Sequence, residues 1–252
     1  MEYITSSKNP VLAHIKKLGT NSSYRLHNRE FVCEGLKLLE DAINSDVEIP
    51  TVITSSYVPI PLPVDTRVYT VKQSLIKSVS ALKSAQDIIF VCKFPEYKEI
   101  NRNEGIHILL EGMQDPSNVG AIIRSANALG MSSVILTGGC ADPFNPKSIR
   151  ASMGAIFRQH IVSMQLEDLE TLKQRGITFY ASVVRDGSCD FSTIYLNGSI
   201  IAIGNEGHGL SESLMDICEN SIMIPINSNS ESLNAAVAAA IIMWEASPFN
   251  RT

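Results

Sequence analysis

The sequence predicts an α/β protein in which a mostly parallel sheet follows a smaller α/β unit. Residues 104–252 contain short, continuously apolar runs that alternate with segments of helical spacing, the pattern of strands buried on both faces and joined by helical crossovers. Residues 1–103 show a similar but looser alternation. Between the two lies the polar stretch Phe94 to Gly105, FPEYKEINRNEG, which sets the expected boundary at 103/104.

In the first domain, Asn9 to Leu18 and Glu34 to Ile43 carry apolar residues at helical spacing. Thr51 to Ile53, Arg67 to Val71 and Asp87 to Phe94 read as short strands. In the second, strands are expected at Ile106 to Leu110, Ser133 to Thr137, Thr178 to Val184, Ile200 to Ile203 and Ser221 to Ile226. Helices are expected at Asn118 to Leu129, Pro146 to Ala155, Leu166 to Gln174, Ser211 to Cys218 and Ser232 to Glu245. In such a sheet, function belongs at the carboxyl ends of the strands.

At 252 residues the chain has ample length for two modest domains. The opening MEYITSSKNP lacks the basic-then-apolar layout of a signal peptide, and the longest apolar run, Ala235 to Trp244, is too short to span a bilayer, so no membrane role is expected. Cys33, Cys92, Cys140, Cys189 and Cys218 are odd in number and widely spaced, without a CxxC pair or a nearby His. This indicates a reducing, cytoplasmic setting and no metal site.

The net charge is −5, unusual for a nucleic-acid binder, but it is unevenly distributed. Residues 1–103 carry 13 basic and 11 acidic side chains, net +2, whereas 104–252 carry 8 and 15, net −7. Within the first thirty residues Lys8, Lys16, Lys17, Arg25 and Arg29 face only Glu2 and Glu30. That end is the expected phosphate-contacting surface, the alternative being an ordinary solvated helix face.

Three segments of the second domain combine backbone freedom with reactive polar groups at strand-to-helix junctions. The first is DPSNVGAIIRSA, residues 115–126, in which Asp115 or Ser117 caps a helix bearing Asn118 and Arg124. Asn118 and Arg124 stand six residues apart, somewhat off one face. The second is IIAIGNEGHGL, residues 200–210, where an apolar strand breaks into glycines 204, 207 and 209 around Glu206 and His208. This is not the GxGxxG spacing of a dinucleotide site, which argues against a nicotinamide oxidoreductase. The third is IPINSNSESLNAAVAAA, residues 224–240, where a polar loop with Ser232 and Asn234 opens a helix of small residues suited to close packing.

Together these segments resemble motifs 1, 2 and 3 of the SpoU-type RNA ribose methyltransferases of the SPOUT group, N-x-G-x-x-x-R, G-N-E-x-x-G-L and S-L-N-x-x-x-A, in order and in placement after strands. ITSSKNP at 4–10 and FVCEG at 31–35 resemble the L30e-like substrate-binding domain of one subgroup, and Lys147, Arg150, Ser152 and Gly154 fit that subgroup's stretch after motif 1.

The resemblance implies a methyltransferase domain with a deep trefoil knot, contrary to the general rule against knotted chains, behind an RNA-binding domain at 1–103. It also implies a homodimer and the cofactor S-adenosylmethionine, held near Ile203, Gly204, Ile224, Ser232 and Leu233. The reaction it implies is transfer of methyl to a ribose 2′-hydroxyl. Arg124 assists the hydroxyl, Asn118 fixes its approach, Glu206 structures the site, and Ser232 and Asn234 hold motif 3 and substrate. A guanidinium stays protonated at neutral pH, so stabilising the developing alkoxide or a phosphate suits Arg124 better than base catalysis, and Glu206 remains an alternative base. The two-domain layout favours ribosomal RNA over transfer RNA. The alternatives are a transfer-RNA ribose methyltransferase, a base methyltransferase of the wider SPOUT group, and a non-catalytic RNA-binding paralogue, against which the intact polar residues argue.

Overall fold

A computed structural model describes residues 2–96, 99–100, 105–183, 196–205, 207–227 and 229–250. The chain forms two compact units, Met1–Glu96 with Asp142–Arg158, and Tyr97–Ala141 with Gln159–Thr252. The segment 142–158, which the sequence reading counted in the second domain, therefore packs within the first unit.

The first unit is built on a five-stranded mixed sheet of β1 (Glu2–Ile4), β2 (Glu30–Glu34), β3 (Thr51–Thr54), β4 (Arg67–Val71) and β5 (Ile88–Lys93), ordered β1-β4-β3-β5-β2. β1, β4 and β3 run parallel, while β5 pairs antiparallel with both β3 and β2. α1 (Pro10–Thr20) starts where the Asn9 side chain accepts from the Val11 amide at 2.9 Å and Pro10 occupies the first turn. Its buried Leu12, Ile15 and Leu18 pack with Val32, Ile53, Ile76 and Ile89 in one core. α2 (Ser22–Asn28), α3 (Leu36–Ile43) and α4 (Gln73–Val79) complete this part.

The later segment joins the unit through α6 (Pro146–Ser152) and a 3-10 turn at Ala155–Phe157. Phe144 stacks on Phe94 at 4.2 Å between ring centroids and lies 4.7 Å from Phe31, while Phe157 stacks on Phe31 at 6.3 Å. The helix expected over Pro146 to Ala155 breaks at Met153 and Gly154, both in the left-handed region, before the 3-10 turn begins.

The second unit carries a six-stranded parallel sheet ordered β11-β9-β10-β6-β7-β8. Its strands are β6 (Ile106–Glu111), β7 (Ser133–Thr137), β8 (Ile161–Ser163), β9 (Thr178–Val183), β10 (Ser199–Ile203) and β11 (Asn220–Met223). β7 and β10 are buried at every position, as continuous apolar runs require. The helices are α5 (Pro116–Ala128), α7 (Leu166–Gln174), α8 (Glu212–Ile217) and α9 (Ala235–Ala246). Leu169, Leu172 and Leu214 from α7 and α8 pack on Leu109, Phe179 and Ile200 of the sheet. The strand expected to reach Ile226 stops at Met223, and the helix expected from Ser232 starts at Ala235, its cap supplied by Asn234. Val184, Cys189 and the 103/104 boundary lie outside the described residues.

Candidate functional site

The strand order of the second unit contains a reversal. From central β6 the chain winds outward through β7 and β8, then returns to place β10 on the other side of β6, with β9 and β11 beyond it. Carboxyl ends at such a reversal form the crevice in which open α/β sheets bind ligands.

A cavity of about 440 Å³ opens there, within the range of small-molecule sites, roughly 300–1,000 Å³. Its walls come from the ends of β9 and β10, the chain after β11 and the first turn of α9. Ile203, Gly204, Ile224, Ser232 and Leu233 all line it, so the structure brings together the five residues that the resemblance assigned to the cofactor. His208 and Glu231 add an imidazole and a carboxylate to a lining of aliphatic side chains, glycine backbone, and the polar side chains of Ser182, Asn205 and Ser232.

Hydrogen bonds hold the glycine-rich turn after β10. Asn205 N–H donates to the Gly209 carbonyl at 3.0 Å and Gly209 N–H returns to the Asn205 carbonyl at 2.9 Å. The Asn205 carboxamide donates to the Gly112 carbonyl at 2.8 Å and accepts from Gly207 N–H at 2.8 Å, tying the turn to the end of β6. Glu111 adds a second tie, accepting from the Ser211 amide at 2.7 Å and the Ser211 hydroxyl at 2.6 Å. A Cβ on Gly204 would overlap the carbonyl of Gly209 and the amide nitrogen of Leu210, so only glycine allows the turn to fold over the strand end.

The remaining predicted residues occupy two further places. Asp115 caps α5 by accepting from Ser117 N–H at 2.8 Å. One turn on, the Asn118 carboxamide oxygen accepts from the Asn234 side chain at 3.4 Å. Asn234 itself caps α9, accepting from the amides of Ala236 at 3.0 Å and Val237 at 3.3 Å. The start of α5 is thereby linked to the start of α9, which lines the cavity through Ala235 and Ala238. Arg124 is exposed on α5 and does not line the cavity; its Cα lies about 9 Å along the helix from that of Asn118. Glu206 lies outside the described residues.

On the first unit Lys8, Lys16, Lys17 and Arg29 are exposed, and Lys17 Nζ stands 5.3 Å over the Tyr24 ring. Arg25 corrects the sequence expectation. It is 2 % exposed, pairs with Asp142 at 2.6 and 2.8 Å and donates to the Leu18 carbonyl at 2.6 Å. A guanidinium consumed by these bonds is a structural tie between α2 and the 142–158 segment, not a phosphate contact.

Sequence reasoning passed over Glu111 and gave Asn205 no role of its own. Asn205 had a signal, since it stands between Gly204 and Glu206 in a segment already singled out. Glu111 had only its place at the end of an apolar strand. Among the described residues no group of His, Cys, Asp and Glu could hold a metal ion, and no helix is long and apolar enough to cross a membrane.

Comparisons with known proteins agree with this architecture. The sequence profile of the SpoU rRNA Methylase family matches residues 105–244, and that of the MRM3-like substrate binding domain matches residues 9–89. The chain is 30% identical to the 23S rRNA (guanosine(2553)-2′-O)-methyltransferase RlmP of Bacillus subtilis, over 97% of this chain and 98% of that one. The AdoMet-bound rRNA methyltransferase of Sinorhizobium meliloti superposes with a TM-score of 0.84 at 28% identity, covering 97% of each chain. The SpoU methyltransferase AviRb of Streptomyces viridochromogenes, in complex with AdoMet, gives 0.83 at 26%, covering 95% of this chain and 97% of that one. With the matching profile spanning more than half its length, and a curated relative matching nearly end to end, the chain belongs to the SpoU rRNA methylase family.

Proposed function

We infer that this chain is an S-adenosylmethionine-dependent RNA methyltransferase that modifies a ribose 2′-hydroxyl in ribosomal RNA. The observation that carries the reading is the cavity at the carboxyl ends of β9 and β10, closed by the chain after β11, into which two of the family segments converge. Its composition fits the cofactor. Ile203, Ile224 and Leu233 offer apolar surface that would suit a purine, the turn backbone offers polar partners, and Glu231 contributes a carboxylate whose charge would favour a cationic cofactor.

When bound, S-adenosylmethionine would supply an electrophilic methyl group: the ribose 2′-oxygen would bond to the methyl carbon as the carbon–sulfur bond breaks, with S-adenosylhomocysteine as leaving group and the hydroxyl proton passing to a base. The protein's share is alignment and charge. Gly204, held against the 209–210 backbone, shapes the cavity wall, and Asn205 and Glu111 keep that turn attached to β6. The Asn118–Asn234 contact sets α5 against the mouth of α9. On this reading Arg124 meets the attacking oxygen or an adjacent phosphate and stabilises developing negative charge, while Glu206 or solvent takes the proton. Ser232 holds the motif 3 loop.

The same reading takes residues 1–103 as the RNA platform, with Lys8, Lys16, Lys17 and Arg29 as its exposed cations. It takes the working form as a homodimer of knotted domains. In support, α9 leaves Val237, Ile241 and Trp244 exposed at helical spacing, with Trp244 50 % accessible, an apolar stripe suited to a second copy. Free thiols at Cys33, Cys92, Cys140 and Cys218 favour a reducing, cytoplasmic location.

The test is incubation of the purified protein with total RNA and methyl-labelled S-adenosylmethionine, followed by fractionation and nucleoside analysis. Label in a 2′-O-methylated nucleoside of ribosomal RNA is the expected result. Label in a base refutes the ribose assignment, label confined to transfer RNA refutes the substrate, and failure to bind the cofactor favours the non-catalytic paralogue.

A further inference from the structure

A second cleft, of about 270 Å³, lies wholly within the first unit and shares no residue with the cavity of the second. Its walls are aliphatic, formed by Val32 of β2, Leu38 of α3, Leu82 after α4, and Pro146 and Ile149 of α6. Four polar side chains stand among them: Glu34, Ser84, Gln86 and Arg150.

Among the described residues, Gln86 and Arg150 are little engaged by the fold. Gln86 makes, among the described residues, one long bond, 3.4 Å, from its amide nitrogen to the Ser84 carbonyl. The Arg150 guanidinium is exposed and makes no hydrogen bond or ion pair among the described residues. By contrast, Glu34 in the same cleft is engaged, accepting from the Ser80 hydroxyl at 2.7 and 3.0 Å and from the Ala81 amide at 3.0 Å, which ties Ser80 and Ala81 to β2. The cleft is thus an aliphatic slot with a carboxamide held by one long bond, a hydroxyl and a cation that has no partner among the described residues.

We propose that this slot binds one unstacked adenine of the RNA, with the Gln86 carboxamide reading the base edge and Arg150 contacting the backbone phosphate or stacking on the ring. A carboxamide presents one donor and one acceptor in a plane, the complement of adenine's amino group and ring nitrogen. Sequence-specific RNA recognition targets splayed bases that stack on aromatic or guanidinium planes and hydrogen-bond through their edges, and here Arg150 offers the guanidinium and Gln86 the edge contact. The volume falls just below the range of cofactor-sized sites, roughly 300–1,000 Å³, and suits a single base. The proposal rests on the RNA-methyltransferase reading and adds a nucleotide-specific contact to it.

The experiment compares binding of labelled A, C, G and U ribodecamers to the full-length chain, to Gln86→Leu and to the slot-filling Leu38→Trp. Circular dichroism and S-adenosylmethionine titration serve as controls on folding, and methyl transfer to total RNA is assayed in parallel. The wild type is expected to favour the A decamer at least about fivefold, and both variants to lose that preference while keeping the salt-dependent affinity common to all four. Equal binding of the four by wild type, preference for another base, or a preference that survives in both variants overturns the proposal. If transfer to RNA is intact in these cases, only the slot falls; if wild type neither binds RNA nor transfers methyl, the functional reading falls with it.

Discussion

Replacing Gly204 with alanine tests whether the turn after β10 must close against the strand end to form the cofactor cavity. The added Cβ would overlap the carbonyl of Gly209 and the amide nitrogen of Leu210. These are backbone atoms, so no side-chain rotation relieves the overlap, and the turn must open. Opening breaks the two backbone hydrogen bonds between Asn205 and Gly209, at 3.0 and 2.9 Å, each worth about 0.5–1.5 kcal/mol net. If the loop gives way locally, the cost of about 1–3 kcal/mol falls on ligand binding, because Gly204, Asn205, Gly207 and Gly209 all line the cavity. That corresponds to a loss of about 5- to 150-fold in affinity. The assay is calorimetric titration with S-adenosylmethionine alongside chemical denaturation. Gly207→Ala is the internal control, since its Cβ meets only the Asn205 side-chain oxygen, at 3.3 Å, and should cost far less. Wild-type affinity and stability in Gly204→Ala would refute the proposed coupling between turn closure and cofactor binding.

Arg124→Ala should lower methyl transfer by about 10²–10³-fold while cofactor affinity stays at the wild-type value; near-normal turnover removes Arg124 from the mechanism. Arg25→Ala strips Asp142 of a buried partner and should destabilise the protein by about 3 kcal/mol, toward the lower end for a buried pair because Asp142 retains some exposure. A loss under about 1 kcal/mol in denaturant titration would mean the pair behaves as a surface one. Trp244→Glu places a charge on the exposed stripe of α9 and should convert the proposed dimer to monomer in analytical ultracentrifugation; a wild-type dimer whose mass the substitution leaves unchanged excludes that face, and a monomeric wild type refutes the dimer. Burial, reinforced by the negative charge of Glu219 and partly offset by Lys173, pushes the Cys218 thiol up to about 12. Its alkylation by iodoacetamide at pH 7.5 should therefore run about 10³-fold slower in the folded protein than in denaturant, and equal rates would contradict the burial.

Local chemistry in the sequence determined most of the second unit. Continuously apolar runs, glycine and asparagine punctuation, and Pro after a polar cap place β6, β7, β9, β10, α5 and α7 within a residue or two of where they stand, because each is specified by its own neighbours. Ile203, Gly204, Ile224, Ser232 and Leu233 are assigned to the cofactor only by the resemblance of those segments to the family motifs; composition marks the strand ends and loops that carry them, and the structure brings the five into one cavity lining. Short elements such as β1, β8 and α4 left no periodic trace, because a few residues cannot display a period and their pairing partners are distant.

Only the tertiary structure decided what each charge and each segment does. Arg25 reads as one of five cations near the amino end, yet Asp142, more than a hundred residues away, turns it into a buried tie, while Lys16 and Lys17 stay in solvent. The segment 142–158 joins the first unit because Phe31, Phe94, Phe144 and Phe157 share one aromatic cluster. Glu111 becomes a clamp only when parallel pairing brings the end of β6 beside the end of β10. Secondary structure and motif chemistry are set by near neighbours and can be read along the chain. Burial, ion pairing and the joining of distant segments depend on which parts of the chain meet in space, and those meetings are settled by packing.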